Sequence, residues 1–163
     1  MRTFFASAAL VVALDQATKH LIKTGMKMYE SIIVIKDIFK ITYIENSGIA
    51  FGIFNGESHH WVRWALAGII FIAAVSITVY WAYNRSQGII FSAACGMILG
   101  GALGNLIDRV FIGRITDFIE VGYRNVTWPV FNIADSAVSV GVCLFIIFIL
   151  NEKREGTNAP GPV

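Results

Sequence analysis

Three aspartates, Asp108, Asp117 and Asp135, lie next to or between long apolar runs within residues 100–136. An aspartate at the centre of a membrane-spanning helix costs roughly 2.5 to 3.5 kcal/mol on insertion scales, so an acid in such a setting indicates a functional site. Any fold of this chain must pair, protonate or expose these three carboxyl groups.

The composition indicates an integral membrane protein. Of the 163 residues, 56% are hydrophobic and only 15% are charged, which exceeds what a soluble domain of this size needs to fill one core. Four apolar runs are long enough to cross a hydrocarbon core of about 30 Å, and we place the spans at about 3–22, 61–83, 89–110 and 130–150. The formal charge of +2 is small and scattered, so we expect no nucleic-acid binding.

The segment after the first span has a different pattern. Residues 31–44, SIIVIKDIFKITYI, are dense in β-branched and aromatic residues, and Lys36-Asp37 forms a polar break between two strand-like halves. Residues 49–54, IAFGIF, offer a third strand. Because an open sheet edge cannot lie in lipid, this β-rich segment, at about 23–57, is expected at or just above the membrane surface.

These patterns predict a mainly α integral membrane fold in one domain, residues 1–151, with four transmembrane helices and a small β-rich segment after helix one. Residues 152–163 contain two prolines and two glycines and are expected to form a disordered tail. Glu57 and Glu120, in the connections between spans, are expected to be dispensable surface acids.

Polar side chains recur on one side of the fourth predicted span. Asn132, Asp135, Ser136 and Ser139 are spaced i, i+3, i+4 and i+7, which places them in one stripe of an otherwise apolar helix. The helix dipole favours an acid near a helix N-terminus, but that accounts for one aspartate and not for the stripe.

The connections determine which aspartates share a side of the membrane. With four spans and short connections, both chain ends lie on one side, and residues 23–60 and 111–129 lie on the other. Asp117 and Asp135 then share a face at a similar shallow depth. Two carboxylates brought close cannot both ionise readily, so one keeps a proton while the other acts as a base. This is the arrangement of an aspartic protease, which requires no metal or other cofactor.

Other polar residues leave two interpretations open. Asp108 and Arg109 fit a local ion pair or a helix-end anchor as well as a chemical role. Asp15 and Lys19, four residues apart with the acid first, fit a same-face helical ion pair as well as a direct role. The polar turn at 46–48 is, taken alone, most often a turn and nothing more.

A metal site is not expected at the histidine pair. His59 and His60 are adjacent, so they point to different sides of a helix, and no carboxylate or cysteine stands at ligand spacing nearby.

The sequence resembles the lipoprotein signal peptidase (signal peptidase II) family, bacterial enzymes that remove signal peptides from lipid-modified prolipoproteins. The resemblance covers nearly the whole chain and rests on five motifs in the family's order: DQATK at 15–19, NSGIAF at 46–51, GNLIDR at 104–109, ITDFI at 115–119 and FNIADS at 131–136. Each motif is weak alone, but five in order on a four-span chain are highly specific. Ser47 and Thr116 stand where Thr and an aliphatic residue are frequent, and they leave the functional positions intact.

This resemblance implies an aspartic endopeptidase with a catalytic dyad of Asp117 and Asp135, which cleaves on the N-terminal side of a diacylglyceryl-modified cysteine. It implies substrate-binding or site-supporting roles for eight further residues: Asn46, Gly48, Asn105, Asp108, Arg109, Asn132, Asp15 and Lys19. It also implies the bacterial cytoplasmic (inner) membrane, cytoplasmic termini and tail, a site near the outer leaflet, and an extracytoplasmic β-rich segment that holds the substrate's lipid-bearing end. The implied partners are the prolipoprotein substrate, membrane lipids and inhibitors of the globomycin type, and we expect a monomer.

The distribution of basic residues opposes this orientation. The side taken as cytoplasmic carries Arg2, Arg85, Lys153 and Arg154, whereas the other side carries Lys23, Lys27, Lys36, Lys40, Arg114 and Arg124. The positive-inside rule therefore favours the reverse orientation, and the expected one rests on the resemblance.

Two other classes of function remain as alternatives. A small proton-coupled transporter or channel subunit would use the aspartates as a relay, but the sequence contains no visible internal repeat or pair of interrupted helices. A structural membrane subunit would use Gly96, Gly100 and Gly104 for assembly, which leaves the polar stripe of the fourth span unexplained.

Overall fold

The computed structural model describes residues 1–48, 60–123 and 126–157. In these residues the chain forms four α-helices, α1 (Arg2–Gly25), α2 (His60–Tyr83), α3 (Ile89–Ile107) and α4 (Ile133–Thr157). It also forms four β-strands, β1 (Ser31–Ile35), β2 (Phe39–Asn46), β3 (Ile115–Tyr123) and β4 (Val126–Thr127). A π-helical turn (Asp108–Ile112), called the π-turn below, follows α3 directly.

Within the described residues, three helical stretches are long and apolar enough to cross a membrane: Trp61–Tyr83, Ile89–Ile112 and Ile133–Asn151. Phe71 and Ile72 of α2 are more than half exposed, which suits a hydrocarbon environment. Helix α1 has 24 residues but carries Asp15 and Lys19 in its second half. These two side chains are 0% and 1% exposed, so they face protein and not the surroundings of the bundle.

Helix α3 packs against each of the other three helices. At Gly100 an added Cβ would lie 2.7 Å from the carbonyl oxygen of Ala8 and 2.8 Å from Cβ of Val11. At Gly104 it would lie 2.6 Å from Oδ2 of Asp15. Gly96, Gly100 and Gly104 form a small-residue stripe on α3 that brings another helix close, and that helix is α1 of the same chain.

An aromatic cluster fills the end of the bundle where α1 begins. The rings of Phe4 and Trp81 stack with centroids 3.9 Å apart, and Nε1 of Trp81 donates a hydrogen bond to Oγ of Ser92 at 3.2 Å. Phe91 and Cys95 complete this buried cluster. Asp15 and Lys19 of α1 and Asn105 of α3 lie together toward the opposite end of the bundle.

The four strands form one antiparallel sheet in the order β1-β2-β3-β4. Strands β1 and β2 agree with the predicted hairpin, and Asp37 in its turn has a φ of 63°. The alternating stretch RITDFIEV around Asp117, whose sequence fits irregular or extended chain, forms strand β3 and pairs with β2 along most of its length. The predicted strand at 49–54 and the acid Glu57 lie outside the described residues.

A β-bulge in β2 changes which side chains face the helices. Ile41 pairs with Ile119 and Ile44 with Asp117, so Thr42 and Tyr43 together stand opposite one residue of β3. Both are buried, which breaks the alternation of a regular strand. After the bulge, Ile44 and Asn46 lie on the same face of the sheet as Asp117.

Three expectations need correction. Glu120 is not a surface loop residue: it lies in β3 with its side chain 14% exposed, and it pairs with Lys40 at 3.0 Å. The last helix begins at Ile133 and not at 130, because Phe131 forms a β-bridge with Ile119. That helix also continues to Thr157, since residues 152–155, EKRE, are good helix formers; residues 158–163 lie outside the described residues.

Replacement of Gly100 by alanine should destabilise the helix bundle. The new methyl group would meet the backbone of α1, and forcing extra carbon into a packed interface costs about 1–3 kcal/mol. Thermal unfolding in detergent should show a lower Tm for Gly100→Ala. Gly68→Ala in α2 is the matched control, because no atom lies within 4 Å of an added Cβ there. Equal Tm values for the two variants would contradict the close α1–α3 contact.

Candidate active site

The first turn of α4 is closed by a reciprocal pair of hydrogen bonds. The backbone N–H of Asp135 donates to Oδ1 of Asn132 at 2.9 Å, and the backbone N–H of Asn132 donates to Oδ2 of Asp135 at 3.2 Å. This is a capping box, in which the residue before the helix and the third residue of the helix satisfy each other's backbone donors. It fixes the Asp135 carboxylate at the positive end of the helix dipole.

The carboxylate of Asp117 reaches the same place from β3. Its Oδ1 accepts a hydrogen bond from Nδ2 of Asn132 at 2.7 Å, and its Oδ2 accepts one from Nδ2 of Asn46 at 3.1 Å. Only 4% of Asp117 is exposed. The amide of Asn132 thus bonds Asp117 while its oxygen and backbone hold Asp135, and this one residue connects the two acids.

Burial raises the pKa of Asp117 to about 7, and the nearby carboxylate of Asp135 adds to the effect. Hydrogen bonds from Asn46 and Asn132 and the charge of Lys19 oppose the rise. Asp117 therefore keeps its proton to a higher pH than an isolated aspartate does.

Asn105 of α3 links this pair to the interior of the bundle. Its Nδ2 donates to Oδ1 of Asp135 at 2.8 Å, and its Oδ1 accepts hydrogen bonds from Nδ2 of Asn132 at 3.1 Å and Nζ of Lys19 at 3.0 Å. Each polar atom of this amide side chain therefore has a partner in the site, which fixes its orientation.

A buried ammonium group lies behind Asn105. Nζ of Lys19 is 2.8 Å from Oδ2 of Asp15 and 3.2 Å from Oδ2 of Asp108. All three side chains are almost completely inaccessible, with at most 2% exposed. Asp15 and Lys19 thus form an interior ion pair that includes Asp108, and the Lys19 side chain faces the protein.

The two acids of this ion cluster also bind backbone groups. Oδ1 of Asp15 accepts a hydrogen bond from the N–H of Ala134 at 3.0 Å, and Oδ2 of Asp108 accepts one from the N–H of Thr116 at 3.1 Å. Asp15 therefore attaches α1 to the first turn of α4, and Asp108 attaches α3 to β3. Each bond fixes the backbone next to one of the paired aspartates, Asp135 and Asp117.

Gln16 belongs to this cluster and was not identified from the sequence. Its Nε2 donates to the carbonyl of Gly104 at 3.1 Å, to Asp15 at 3.1 Å and to Asp108 at 3.3 Å. Its place inside the DQATK motif was the one available signal. Nothing in local spacing separates it from an ordinary surface glutamine.

Arg109 extends from the π-turn to the end of β2. Its NH1 donates to the carbonyl of Ser47 at 2.8 Å, and its NH2 donates to the carbonyl of Gly48 at 2.8 Å. The Asn46 side chain folds over the same turn, because its Oδ1 accepts a hydrogen bond from the N–H of Gly48 at 3.0 Å. Arg109 thus holds the turn that directs Asn46 toward Asp117.

A second residue that sequence analysis missed, Arg63 of α2, donates hydrogen bonds to the carbonyls of Arg109 and Val110. Arg63 lies near the start of a span and outside all five family motifs, so the sequence did not indicate a role for it.

A cavity of about 950 Å³ opens beside the two acids. Asp117, Asp135, Asn46, Gly48 and Arg109 line its polar side. Its apolar lining includes three residues of α2 and the chain that leads into α4: Leu66, Ile69, Ile70, Pro129, Val130 and Phe131. Two carboxyl groups at a cavity wall can exchange protons with a bound molecule.

All ten residues expected at the site lie in one connected hydrogen-bond and ion-pair network: Asp117, Asp135, Asn46, Gly48, Asn105, Asp108, Arg109, Asn132, Asp15 and Lys19. Three of them, Asp117, Asn46 and Gly48, come from β2, β3 and the turn after β2. The others come from helices α1 and α3, the π-turn and the start of α4.

Comparison with known proteins identifies close relatives. Residues 7–151 match the family model described as signal peptidase (SPase) II. The chain is 41% identical over 159 residues to the lipoprotein signal peptidase of Solibacter usitatus, with 94% of each chain covered. It is 43% identical over 157 residues to that of Chlorobium phaeobacteroides, covering 91% of this chain and 96% of the relative. It is 39% identical over 155 residues to the lipoprotein signal peptidase of Pseudomonas aeruginosa, covering 93% of this chain and 90% of the relative.

Solved structures have the same fold. A bacterial membrane enzyme determined by the in meso method at 2.3 Å resolution superposes with a TM-score of 0.82 and 35% identity, covering 100% of this chain and 95% of that one. A second bacterial membrane enzyme, at 1.9 Å resolution, gives a TM-score of 0.78 and 34% identity, with 92% and 94% covered. The family model spans most of the chain and the relatives match nearly end to end, so this protein belongs to the signal peptidase II family of membrane proteases.

Proposed function

We propose that this protein is an aspartic endopeptidase that removes the signal peptide from diacylglyceryl-modified prolipoproteins by cleavage on the N-terminal side of the lipidated cysteine. Family membership supports signal-peptide cleavage from prolipoproteins. The observation that carries the aspartic mechanism is the pair Asp117 and Asp135: both line one cavity, and Asn132 binds both.

The proposed reaction uses the two acids in different roles. Asp135, at the N-terminal turn of α4, is the ionised member because the helix dipole and two hydrogen bonds stabilise its charge. It takes a proton from water as the water oxygen attacks the scissile carbonyl carbon. Asp117 donates its proton to the carbonyl oxygen, so the intermediate is a neutral gem-diol. Asp135 then protonates the leaving nitrogen as the C–N bond breaks, and the diol returns a proton to Asp117.

Polar neighbours of the dyad are suited to orient the substrate and the water. Asn46, Asn105 and Asn132 hold the carboxylates in fixed rotamers, as productive geometry requires. Nε of Arg109 is buried without a hydrogen-bond partner among the described residues, and Arg109 lines the cavity. Arg109 and Gly48, which both line the cavity, are the residues we expect to contact the substrate backbone.

The cavity supports a lipid-bearing substrate and a membrane location. Leu66, Ile69 and Ile70 of α2 form an apolar wall of the cavity, and Ile69 is 63% exposed. We propose four spans, with α1 as the first, both termini in the cytoplasm and the sheet outside the bacterial cytoplasmic membrane. Cyclic peptides of the globomycin type would occupy the cavity at the dyad, and the active unit would be a monomer.

The first test is cleavage of a diacylglyceryl-modified prolipoprotein by purified protein in detergent with a chelator present. Asp117→Asn and Asp135→Asn should each lose at least about 10³-fold in kcat, because neither amide can complete the proton transfers. Asp37→Asn is the matched control: it is the same substitution on the same sheet, at an exposed turn with a φ of 63° that asparagine adopts readily.

Retention of cleavage by either dyad variant would refute the proposed aspartic mechanism. Absence of cleavage by well-folded wild-type protein would refute the proposed substrate and lead next to assays of proton flux.

The value of kcat/KM should fall as the carboxyl group of Asp117 loses its proton. Asp117 has a raised pKa of about 7, so its proton is present below that pH and is lost as the pH rises through it. Activity should therefore fall about tenfold per pH unit above the raised pKa of Asp117, about 7. Initial rates from pH 5 to 9 measure this, with Tm recorded at each pH to show that the protein stays folded. Activity that still rises at pH 9 would contradict the assignment.

Lys19 should matter for stability as well as for activity. Lys19→Met leaves the carboxylates of Asp15 and Asp108 buried without their counter-ion, and breaking a buried pair this way costs about 3–5 kcal/mol. The Tm in detergent should fall by more than about 6 °C. Lys36→Met, at the exposed hairpin turn, is the control and should leave Tm unchanged. A Tm for Lys19→Met equal to that of wild type would show that the ion cluster is not required for stability.

A further inference from the structure

The C-terminal end of α3 is wound as a π-turn and not as a regular α-helix. The N–H of Gly113 donates to the carbonyl of Asp108 at 3.0 Å, five residues back, and Gly113 ends the helix with a φ of 89°. Carbonyls in the last turn of a helix have no donor within the helix. This helix end lies at the end of a candidate membrane span, where a carbonyl without a hydrogen-bond donor is destabilising.

Arg63 provides donors for two of these carbonyls from the neighbouring helix α2. Its Nε donates to the carbonyl of Arg109 at 2.9 Å, and its NH2 donates to the carbonyl of Val110. Gly113 leaves space for this approach, since an added Cβ there would lie 3.2 Å from NH1 of Arg63. An arginine near the start of a span commonly extends toward lipid headgroups. This one is half-buried and turns toward the protein.

The π-turn carries two residues of the active site. Asp108 binds Lys19 and the backbone of Thr116, and Arg109 binds the carbonyls of Ser47 and Gly48. The backbone of Arg109 is thus held by Arg63, while its side chain holds the turn that directs Asn46 to Asp117. A chain of direct contacts runs from α2 through the π-turn to the dyad.

We propose that Arg63 is a positioning residue for peptide cleavage: by binding the carbonyls of Arg109 and Val110, it fixes the π-turn so that Arg109 can hold the 46–48 turn and Asn46 can bind Asp117. Arg63 touches neither carboxylate of the dyad in the described contacts and acts through Arg109. Displacement of a site by about 1 Å can cost about 100-fold in rate, so loss of this support should lower kcat.

The test compares Arg63→Gln with wild type, and it rests on the proposed function because its readout is cleavage of a diacylglyceryl-modified prolipoprotein. Arg63→Gln should lower kcat at least about tenfold while KM changes less than about threefold, as expected when transition-state positioning is lost. Arg63→Lys retains one donor group and should have an intermediate kcat. Arg85→Gln, an exposed arginine beyond the other end of α2, is the matched control and should resemble wild type.

A double-mutant cycle separates positioning from general destabilisation. If Arg63 acts through Asn46, then Asn46→Ala combined with Arg63→Gln should be about as slow as Asn46→Ala alone. Multiplicative losses in the double variant would overturn the proposal, as would a kcat for Arg63→Gln within about twofold of wild type. If Arg63→Gln does not fold, Arg63→Lys carries the test, and a wild-type kcat for that variant would overturn it. Failure of wild type to cleave would instead refute the proposed function.

Discussion

The rest of the structure depends on the buried ion pairs that Lys19 forms with Asp15 and Asp108. A charge in the interior of a membrane protein is tolerated only with close counter-charges and hydrogen-bond partners. Lys19 has both, in Asp15, Asp108 and Asn105. Each of these partners also forms a hydrogen bond with Asp135 or with the backbone next to Asp117 or Asp135. The position of the two paired acids is therefore set by a charge that touches neither of them in the described contacts.

Glycine makes this arrangement sterically feasible. At Gly104 an added Cβ would lie 2.6 Å from the Asp15 carboxylate. The small-residue stripe of α3 thus serves two purposes in succession along the helix: it brings the α1 backbone close, and it then makes room for an ion pair. From the sequence alone, the same glycines could equally form a surface for assembly with another subunit; in the structure they contact α1.

The sequence predicts those features whose cause is local. The apolar runs indicate the helices, and the β-branched residues indicate the β1–β2 hairpin. The acids in an apolar context indicate Asp108, Asp117 and Asp135, and the family resemblance favours Asp117 and Asp135 as the pair. Features caused by tertiary contact were missed. Strand β3 has no decisive local pattern and is stabilised by pairing with β2. Gln16 and Arg63 are polar residues of ordinary appearance whose partners lie far away in sequence. The extension of the last helix to Thr157 is a local feature that the polar tail composition obscured.

The bulge in β2 has a consequence for how this chain tolerates changes in length. Thr42 and Tyr43 share one partner in β3, and Asn46 lies beyond them on the side of the sheet that faces the acids. Removing one of these two residues would close the bulge and leave Ile44 and Asn46 in register, but the structure would lose a buried side chain. Adding one residue between Ile41 and Asn46 would turn Asn46 to the opposite face of the sheet unless a second bulge absorbed it. The hairpin turn at 36–37 has no such role. Insertions and deletions compatible with function should therefore accumulate at the hairpin tip, while the number of residues from 41 to 46 stays constant.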